Sequence, residues 1–330
     1  MQITTLIPAY KSKYLLELMA CLCHQTVKPA RVILSDDSPD RAFIAALSTE
    51  PLRSLLVDLN IELIEGPRQG GYNNFRHLFR KFHAHPQRTE LFHVLLDDDL
   101  IYPSFYARHL QAHSAEDVKC AVSRRWTALE NGQPVRDDLP VPDIVLQHPQ
   151  KLLALDAPML FAHLAGASKN WLGEFSNSTF CSELAIEFLD TRLSDISYAG
   201  LEDLGAFLKA SLSGSLAFIA DHLGAFRQNA EQNSANPMGR PLKLAFCAYI
   251  AIAIAARRMG LLDPQQAEDA VTRSSIFVMH HYGRESDMQL LCAVLPKLLL
   301  NDLAAEGEFL KCWEHFSCDS VFTGPSSFQG

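Results

Sequence analysis

Four short apolar runs early in the chain, residues 3–7, 31–35, 61–65 and 91–96, alternate with stretches whose apolar residues recur at helical spacing. Leu15, Leu18, Met19 and Leu22 form one such stripe, and Tyr72, Phe75, Phe79 and Phe82 form another. Alternating strand-period and helix-period segments are the mark of βαβ units. They predict an α/β, doubly wound, mostly parallel sheet with helices on both faces.

A fifth strand is expected over residues 119–123. Asn131-Gly132 reads as a tight hairpin turn between short strands at 126–130 and 133–136. Prolines 134, 140, 142 and 149 then interrupt regular structure, and helices and loops alternate from about 150 to 214. From Gly239 onward the pattern is almost wholly helical, clearest over 242–258, 264–280 and 288–300. A domain boundary is therefore expected near 233–240, with an all-helical region over 236–330.

The chain's 330 residues suffice for one large domain or two, each with its own core. A net charge of −9, with no Lys/Arg stripe, opposes a nucleic-acid partner, because nothing is placed to displace counterions from a phosphate backbone. The eight cysteines are scattered without metal-binding spacing and read as reduced thiols. The N-terminus lacks the pattern of a signal peptide. The longest apolar run, 13 residues over 244–256 and followed by Arg257-Arg258, is too short to span a bilayer. These features lead to the expectation of a cytoplasmic protein, with room for peripheral contact with a membrane.

In open α/β sheets ligands bind beyond the carboxyl ends of the strands, so the residues after each strand carry the functional information. Here they are Pro8-Ala9-Tyr10, Asp36-Asp37-Ser38 and Asp97-Asp98-Asp99. Three successive carboxylates repel one another unless a cation or water screens them, and a hard divalent ion with oxygen ligands is the natural partner. A solvated acidic turn is the plainer alternative.

The ordered set of motifs resembles the nucleotide-sugar domain of family-two glycosyltransferases with the GT-A fold. The resemblance is carried by Thr5-Leu6-Ile7-Pro8-Ala9-Tyr10, by Gln25-Thr26, by the segment VILSDDSPD (32–40) and by Gly70-Gly71-Tyr72-Asn73-Asn74. LLDDDLIYP (95–103), Glu202-Asp203-Leu204, and Phe226-Arg227-Gln228-Asn229 with Asn233 and the serine beside it complete the set. It covers residues 1 to about 235. It implies a nucleotide-sugar-binding half over 1–125 and an acceptor-side half over 126–235. Ser38-Pro39 replaces the usual Gly-Ser, and Asn229 stands where histidine is common.

The resemblance implies an inverting enzyme that uses a nucleotide-diphospho-sugar, UDP- or dTDP-linked, and Mn²⁺ or Mg²⁺. Tyr10, beside Pro8 and Ala9, would stack on the base, and Asp36 or Asp37 would accept a hydrogen bond from the base's ring N–H. Asn74 would serve the donor site. Asp97 and Asp99 carry the D-x-D pattern: Asp99 would bind the metal, and Asp97 would reach the ribose or the metal and its waters. Asp98 would face the fold or the donor. Arg227 would steady a phosphate or close a loop. Direct displacement needs a base for the acceptor hydroxyl, and the resemblance assigns Asp203, with Glu202 second. Acidic residues there also suit the first turn of a helix. The acceptor would be a glycan, a lipid-linked group or a protein, and the C-terminal helices would serve packing, homo-oligomerisation or acceptor docking.

A nucleotidyltransferase would need a glycine-rich loop after the first strand, where Ala9-Tyr10-Lys11-Ser12 has no glycine. The dinucleotide and P-loop fingerprints are absent. A non-catalytic nucleotide-sugar-binding or protein-interaction module on the same fold is the competing reading from another class.

Overall fold

The computed structural model describes every residue except 231, 233, 234, 301 and 323–330, together with the backbone alone of 303 and 319–322. Asn233 and its neighbouring serine thus lie outside the described residues. In chain order the strands are β1 (Ile3–Ala9), β2 (Arg31–Asp36), β3 (Ile61–Glu65), β4 (Leu91–Val94), β5 (Leu100–Ile101) and β6 (Val118–Ala128). There follow β7 (Pro134–Arg136), β8 (Leu152–Leu155), β9 (Ser178–Cys181), β10 (Arg192–Leu193), β11 (Ile196–Ser197) and β12 (Ser215–Arg227).

Ten of these form one sheet in the order β3-β2-β1-β4-β9-β6-β12-β5, with β7 on β6 and β8 on β12; β10 and β11 pair separately. β1, β2, β3, β4, β6 and β12 run one way, while β5, β7, β8 and β9 run against them. The main strands are therefore parallel. β1 lies between β2 and β4, so strand order reverses there, which opens a crevice at the carboxyl ends of these three strands. β4 ends opposite Leu6, which brings the acidic run behind it level with the end of β1.

Each face buries its own core. Leu15, Leu18, Met19 and Leu22 of the helix Leu15–Cys23, with Phe105 and Tyr106 of the helix Phe105–Ala112, cover one side of the sheet. Leu78, Phe79 and Phe82 of the helix Gly71–His83 and Leu204, Phe207 and Leu208 of the helix Glu202–Ser213 cover the other. The second core continues without a break into the C-terminal helices Arg240–Arg258, Pro264–Tyr282, Gln289–Leu298 and Leu303–Phe322. No helix among the described residues is long and apolar enough to cross a membrane.

The structure adds to the sequence reading in two places. The strands expected at 119–123 and 126–130 are one long β6, because Arg124 and Arg125 interrupt the apolar pattern without interrupting the strand. The hairpin that follows has Gly132 at φ +81, as its turn requires. The 13-residue β12 has no counterpart in the sequence reading. Asp221 and His222 fall at register shifts that destroy its two-residue alternation.

Candidate active site

Beyond the end of β4 the three aspartates take different partners. Asp97 Oδ2 accepts the backbone N–H groups of Tyr10 and Lys11, each at 2.6 Å, and so ties the β1 loop to the β4 loop. Burial pushes the Asp97 carboxyl up to about 6, with the two N–H bonds opposing that shift. Asp98 Oδ2 accepts from Lys11 Nζ at 2.7 Å and from Asn229 Nδ2 at 3.0 Å, which draws in the segment after β12. Asp99 Oδ1 accepts the Arg227 N–H at 3.1 Å, whereas Asp99 Oδ2 is buried without a hydrogen-bond partner. Burial, reinforced by the charge of Asp98, holds the Asp99 carboxyl well above its ordinary range.

The end of β2 divides its two aspartates. Asp36 caps the segment that follows it, accepting from the Ser38 N–H at 2.9 Å and the Ile44 N–H at 2.9 Å. Asp37 donates its own N–H to Ala9 O at 2.9 Å and accepts the Arg68 N–H at its carboxylate, where burial raises its pKa. Gly66 makes this approach feasible: a Cβ there would stand 2.6 Å from Asp37 Oδ1 and 2.9 Å from Asp36 O. Tyr10, directly after the buried strand β1, is 53% exposed. Asn74 turns inward, accepting from Ser35 Oγ at 2.5 Å and donating to Ser35 O at 3.2 Å, which fastens the helix Gly71–His83 to β2.

Arg227, at the end of β12, is 1% exposed. Its guanidinium donates to Asp98 O at 2.8 Å, to Glu130 O and to Glu17, and it lies 4.4 Å from the centre of the Tyr14 ring. These bonds tie Arg227 to the loops after β4 and β6 and to the helix Leu15–Cys23, so it cross-links the loops after β4, β6 and β12. Gln25 is likewise internal, donating to Tyr102 O at 2.8 Å and accepting the Tyr106 N–H.

Glu202 and Asp203 open the helix Glu202–Ser213. Glu202 accepts the Gly200 N–H at 2.9 Å, and Asp203 Oδ1 accepts the Phe175 N–H at 3.3 Å. Burial raises both carboxyls, that of Asp203 to well above its ordinary range, with Glu174 and Glu202 adding like charge. Glu174 pairs with Arg125 of β6, Oε1 to Nη2 at 2.7 Å and Oε2 to Nε at 2.9 Å. Arg125, Glu174 and Asp99 line one small cavity with Ser176, Asn177 and Phe226. Arg125 and Glu174 belong to none of the motifs legible in the sequence. The one signal was an arginine pair inside an otherwise apolar strand.

Among the described residues no group of three or more His, Cys, Asp or Glu surrounds a common point as metal ligands. His109 and His113 are buried and share Thr179 Oγ1, each at 2.9 Å, so they are packed histidines. His222 stacks on Trp126 with ring centres 4.1 Å apart, and its Nε2 lies 3.1 Å from Asp137 Oδ2 without hydrogen-bond alignment.

No family model matches the sequence, and neither does any curated protein. Solved structures do match its fold. S. aureus TarS aligns at TM-score 0.56 and 14% identity over 98% of this chain and 54% of that one, so the chain spans about half the length of TarS. The TarS 1–349 fragment, solved with UDP-GlcNAc, aligns at 0.54 and 12% identity over 97% of this chain and 91% of that one. The mannosyltransferase PcManGT from Pyrobaculum calidifontis, solved with GDP-Man and Mn²⁺, aligns at 0.50 and 13% identity over 98% of this chain and 88% of that one. At such identities the likeness is one of architecture: the chain has the α/β fold of TarS and of this mannosyltransferase.

Proposed function

We propose that the chain is an inverting, metal-dependent glycosyltransferase that moves a sugar from a nucleotide-diphospho-sugar, UDP- or dTDP-linked, to an acceptor hydroxyl. The observation that carries this reading is Asp99 Oδ2, an oxygen buried without a hydrogen-bond partner just behind the acidic end of β4, on a residue that shares a small cavity with Glu174 and whose pKa burial and the charge of Asp98 raise. Such an oxygen suits a hard cation. Mn²⁺ or Mg²⁺ is commonly held by one or two carboxylates together with substrate phosphates, so the lack of a three-residue cluster is in keeping with it. The fold shared with proteins solved with UDP-GlcNAc and with GDP-Man and Mn²⁺ supports the same reading.

In this assignment the exposed Tyr10 ring stacks on the base, and Asp37 accepts from the base's ring N–H, since Asp36 is occupied as a cap. Pro8 and Ala9 form the floor beneath the base. Asp99 holds the metal, and Asp97 uses its remaining oxygen on the ribose or the metal's waters. When bound, the ion neutralises charge developing on the leaving diphosphate. Asp98, Asn74 and Arg227 hold the loops and strands that carry these groups. Asp203, with Glu202 next to it, takes the proton from the acceptor hydroxyl, a task suited to a carboxylate whose pKa burial raises well above its ordinary range. The acceptor is a glycan, lipid-linked or protein hydroxyl reached from the side of residues 126–235. Residues 236–330 support that half, and the reaction takes place in the cytoplasm or at the membrane's inner face.

The test is calorimetric titration of UDP with and without Mn²⁺. Wild type should bind UDP in a metal-dependent way, and Asp99→Ala should lose that dependence with its circular dichroism unchanged. An Asp99→Ala protein that binds UDP as tightly as wild type in Mn²⁺ would refute the metal assignment.

A further inference from the structure

Asp99 and Asp203 come from separate elements, yet one four-residue turn, 174–177, reaches both. Its Phe175 N–H donates to Asp203 Oδ1 at 3.3 Å. The Ser176 hydroxyl accepts the Leu96 N–H at 3.1 Å, three residues before Asp99, and Ser176 lines the same small cavity as Asp99. The Ser176 carbonyl accepts from His93 Nε2 at 3.0 Å, which pins the turn to β4 as well.

The turn is held closed from within. The Glu174 side chain accepts the Asn177 N–H, while the Glu174 N–H donates to Asn177 Oδ1 at 2.7 Å, a reciprocal capping box. Asn177 Nδ2 donates to Ser123 O on β6 and to Leu172 O at 2.8 Å. Gly173, at φ +98, permits the fold, since a Cβ there would come within 2.7 Å of Asn177 Oδ1. From outside, the Arg125 fork clamps Glu174 to β6. Arg125 is itself held by Thr127 Oγ1 at 2.6 Å and Asp138 Oδ1 at 3.1 Å, and it lies 5.0 Å from the centre of the Phe226 ring. A buried pair of this kind is costly to break from one side, because the remaining charge is left without compensation.

We infer that the turn 174–177, clamped to β6 by the Arg125–Glu174 pair, sets the position of Asp203 relative to Asp99, so that Glu174 and Arg125 are positioning residues for sugar transfer. The inference rests on the glycosyltransferase reading and names what that reading lacks: the element that registers base against metal ligand. Glu174 also brings a negative charge beside two raised carboxylates, and Arg125 neutralises it there. The site thus keeps a rigid polar support without adding to the charge that the metal must balance.

The experiment uses the full chain and three variants, Glu174→Ala, Glu174→Gln and Ser176→Ala. UDP and dTDP affinity is measured with Mn²⁺, free Mn²⁺ is followed by electron paramagnetic resonance, and turnover is measured on UDP-GlcNAc or dTDP-glucose, whichever the wild type hydrolyses. Glu174→Ala should keep UDP affinity within about threefold while kcat falls roughly 10- to 100-fold, the size expected when a reacting group moves by about an ångström. Glu174→Gln retains an oxygen for the Asn177 N–H and should recover part of that loss. Ser176→Ala should raise the Mn²⁺ concentration needed for half-maximal UDP binding. If Glu174→Ala fails to fold, Glu174→Gln and Arg125→Lys carry the same test, with kcat reduced and UDP affinity kept. A folded Glu174 variant with wild-type kcat overturns the inference alone, as does a loss of kcat that merely follows a loss of UDP affinity. A wild-type protein that binds neither UDP nor dTDP in Mn²⁺ instead overturns the glycosyltransferase reading, and this inference with it.

Discussion

Adjacent aspartates of identical chemistry separate by what each oxygen meets. Asp98 faces an ammonium and an amide, Asp97 faces two backbone N–H groups, and Asp99 keeps one oxygen without a partner. Asp203 differs again, because its carboxylate accepts one amide N–H in a part-buried, acidic setting. Asp203→Asn keeps the side-chain shape and an acceptor for the Phe175 N–H, so as a mere helix-end residue it should cost little. As the base it should lower transfer by about 10²–10⁴-fold with metal-dependent UDP affinity near wild type. Transfer at the wild-type rate would remove Asp203 from the mechanism. Because its pKa is raised, the carboxyl is protonated and inactive at low pH. The acid limb of kcat should therefore lie above the ordinary carboxylate range, and a pH–rate profile checks it.

At the level of elements, β4 and the helix Phe105–Ala112 bury histidines that the proposed chemistry leaves unused. His93 Nε2 donates to Ser176 O and its Nδ1 accepts from the Tyr106 hydroxyl at 3.1 Å. His113 Nδ1 donates to Val118 O at 3.3 Å. Burial lowers His93 to about 3 and His113 to about 4. Both are neutral in the folded state and charge readily only when unfolded. Their contribution is complete above about pH 6.5 and is lost as pH falls from there toward the folded values, at about 1.4 kcal/mol per pH unit per histidine. The raised carboxyls act in the opposite sense, so a difference is the clean measurement. Urea unfolding between pH 6 and pH 5 should show a slope for His113→Gln that differs from wild type by about one such increment. A second contrast tests the loop after β3. Gly66→Ala should destabilise by about 1–3 kcal/mol and weaken UDP binding, because the new methyl meets Asp37 and the β2 backbone. Gly71→Ala, with open space around it at the start of a helix, should be neutral or gain up to about 1 kcal/mol. Thermal unfolding distinguishes the two.

Over the whole molecule, the helix Arg240–Arg258 buries Leu244, Cys247, Ala248, Ile250, Ala251 and Ile254 in the same core as Phe92 and Phe180 of the sheet and Phe207 of the helix Glu202–Ser213. The composition change near 233–240 marks where strands end and helices begin, while the apolar packing runs straight across it. Ending the chain at residue 239 should therefore expose a broad apolar surface. The product should aggregate or bind a hydrophobic dye, as size-exclusion chromatography and dye fluorescence would show. A soluble truncated protein that binds UDP like the full chain would instead make residues 1–235 an independent unit.

Periodicity and strand-end chemistry are local, and so the first four strands, their helices, the acidic turns and the helical C-terminal region could be read from residue order alone. The sequence also located Asp97–Asp99, because carboxylates directly after an apolar strand stand out without any partner being known, whereas Glu202-Asp203 were singled out by the family resemblance. Only the tertiary structure decided which carboxylate oxygen remains unpaired, that Asp36 and Asn74 face inward, and that Arg227 cross-links loops. It alone revealed β12, whose alternation is broken by bulges, and the Arg125–Glu174 clamp. The reason is charge compensation: an arginine inside a strand reads as an interruption until the fold supplies, from distant sequence, the carboxylate that lets it be buried.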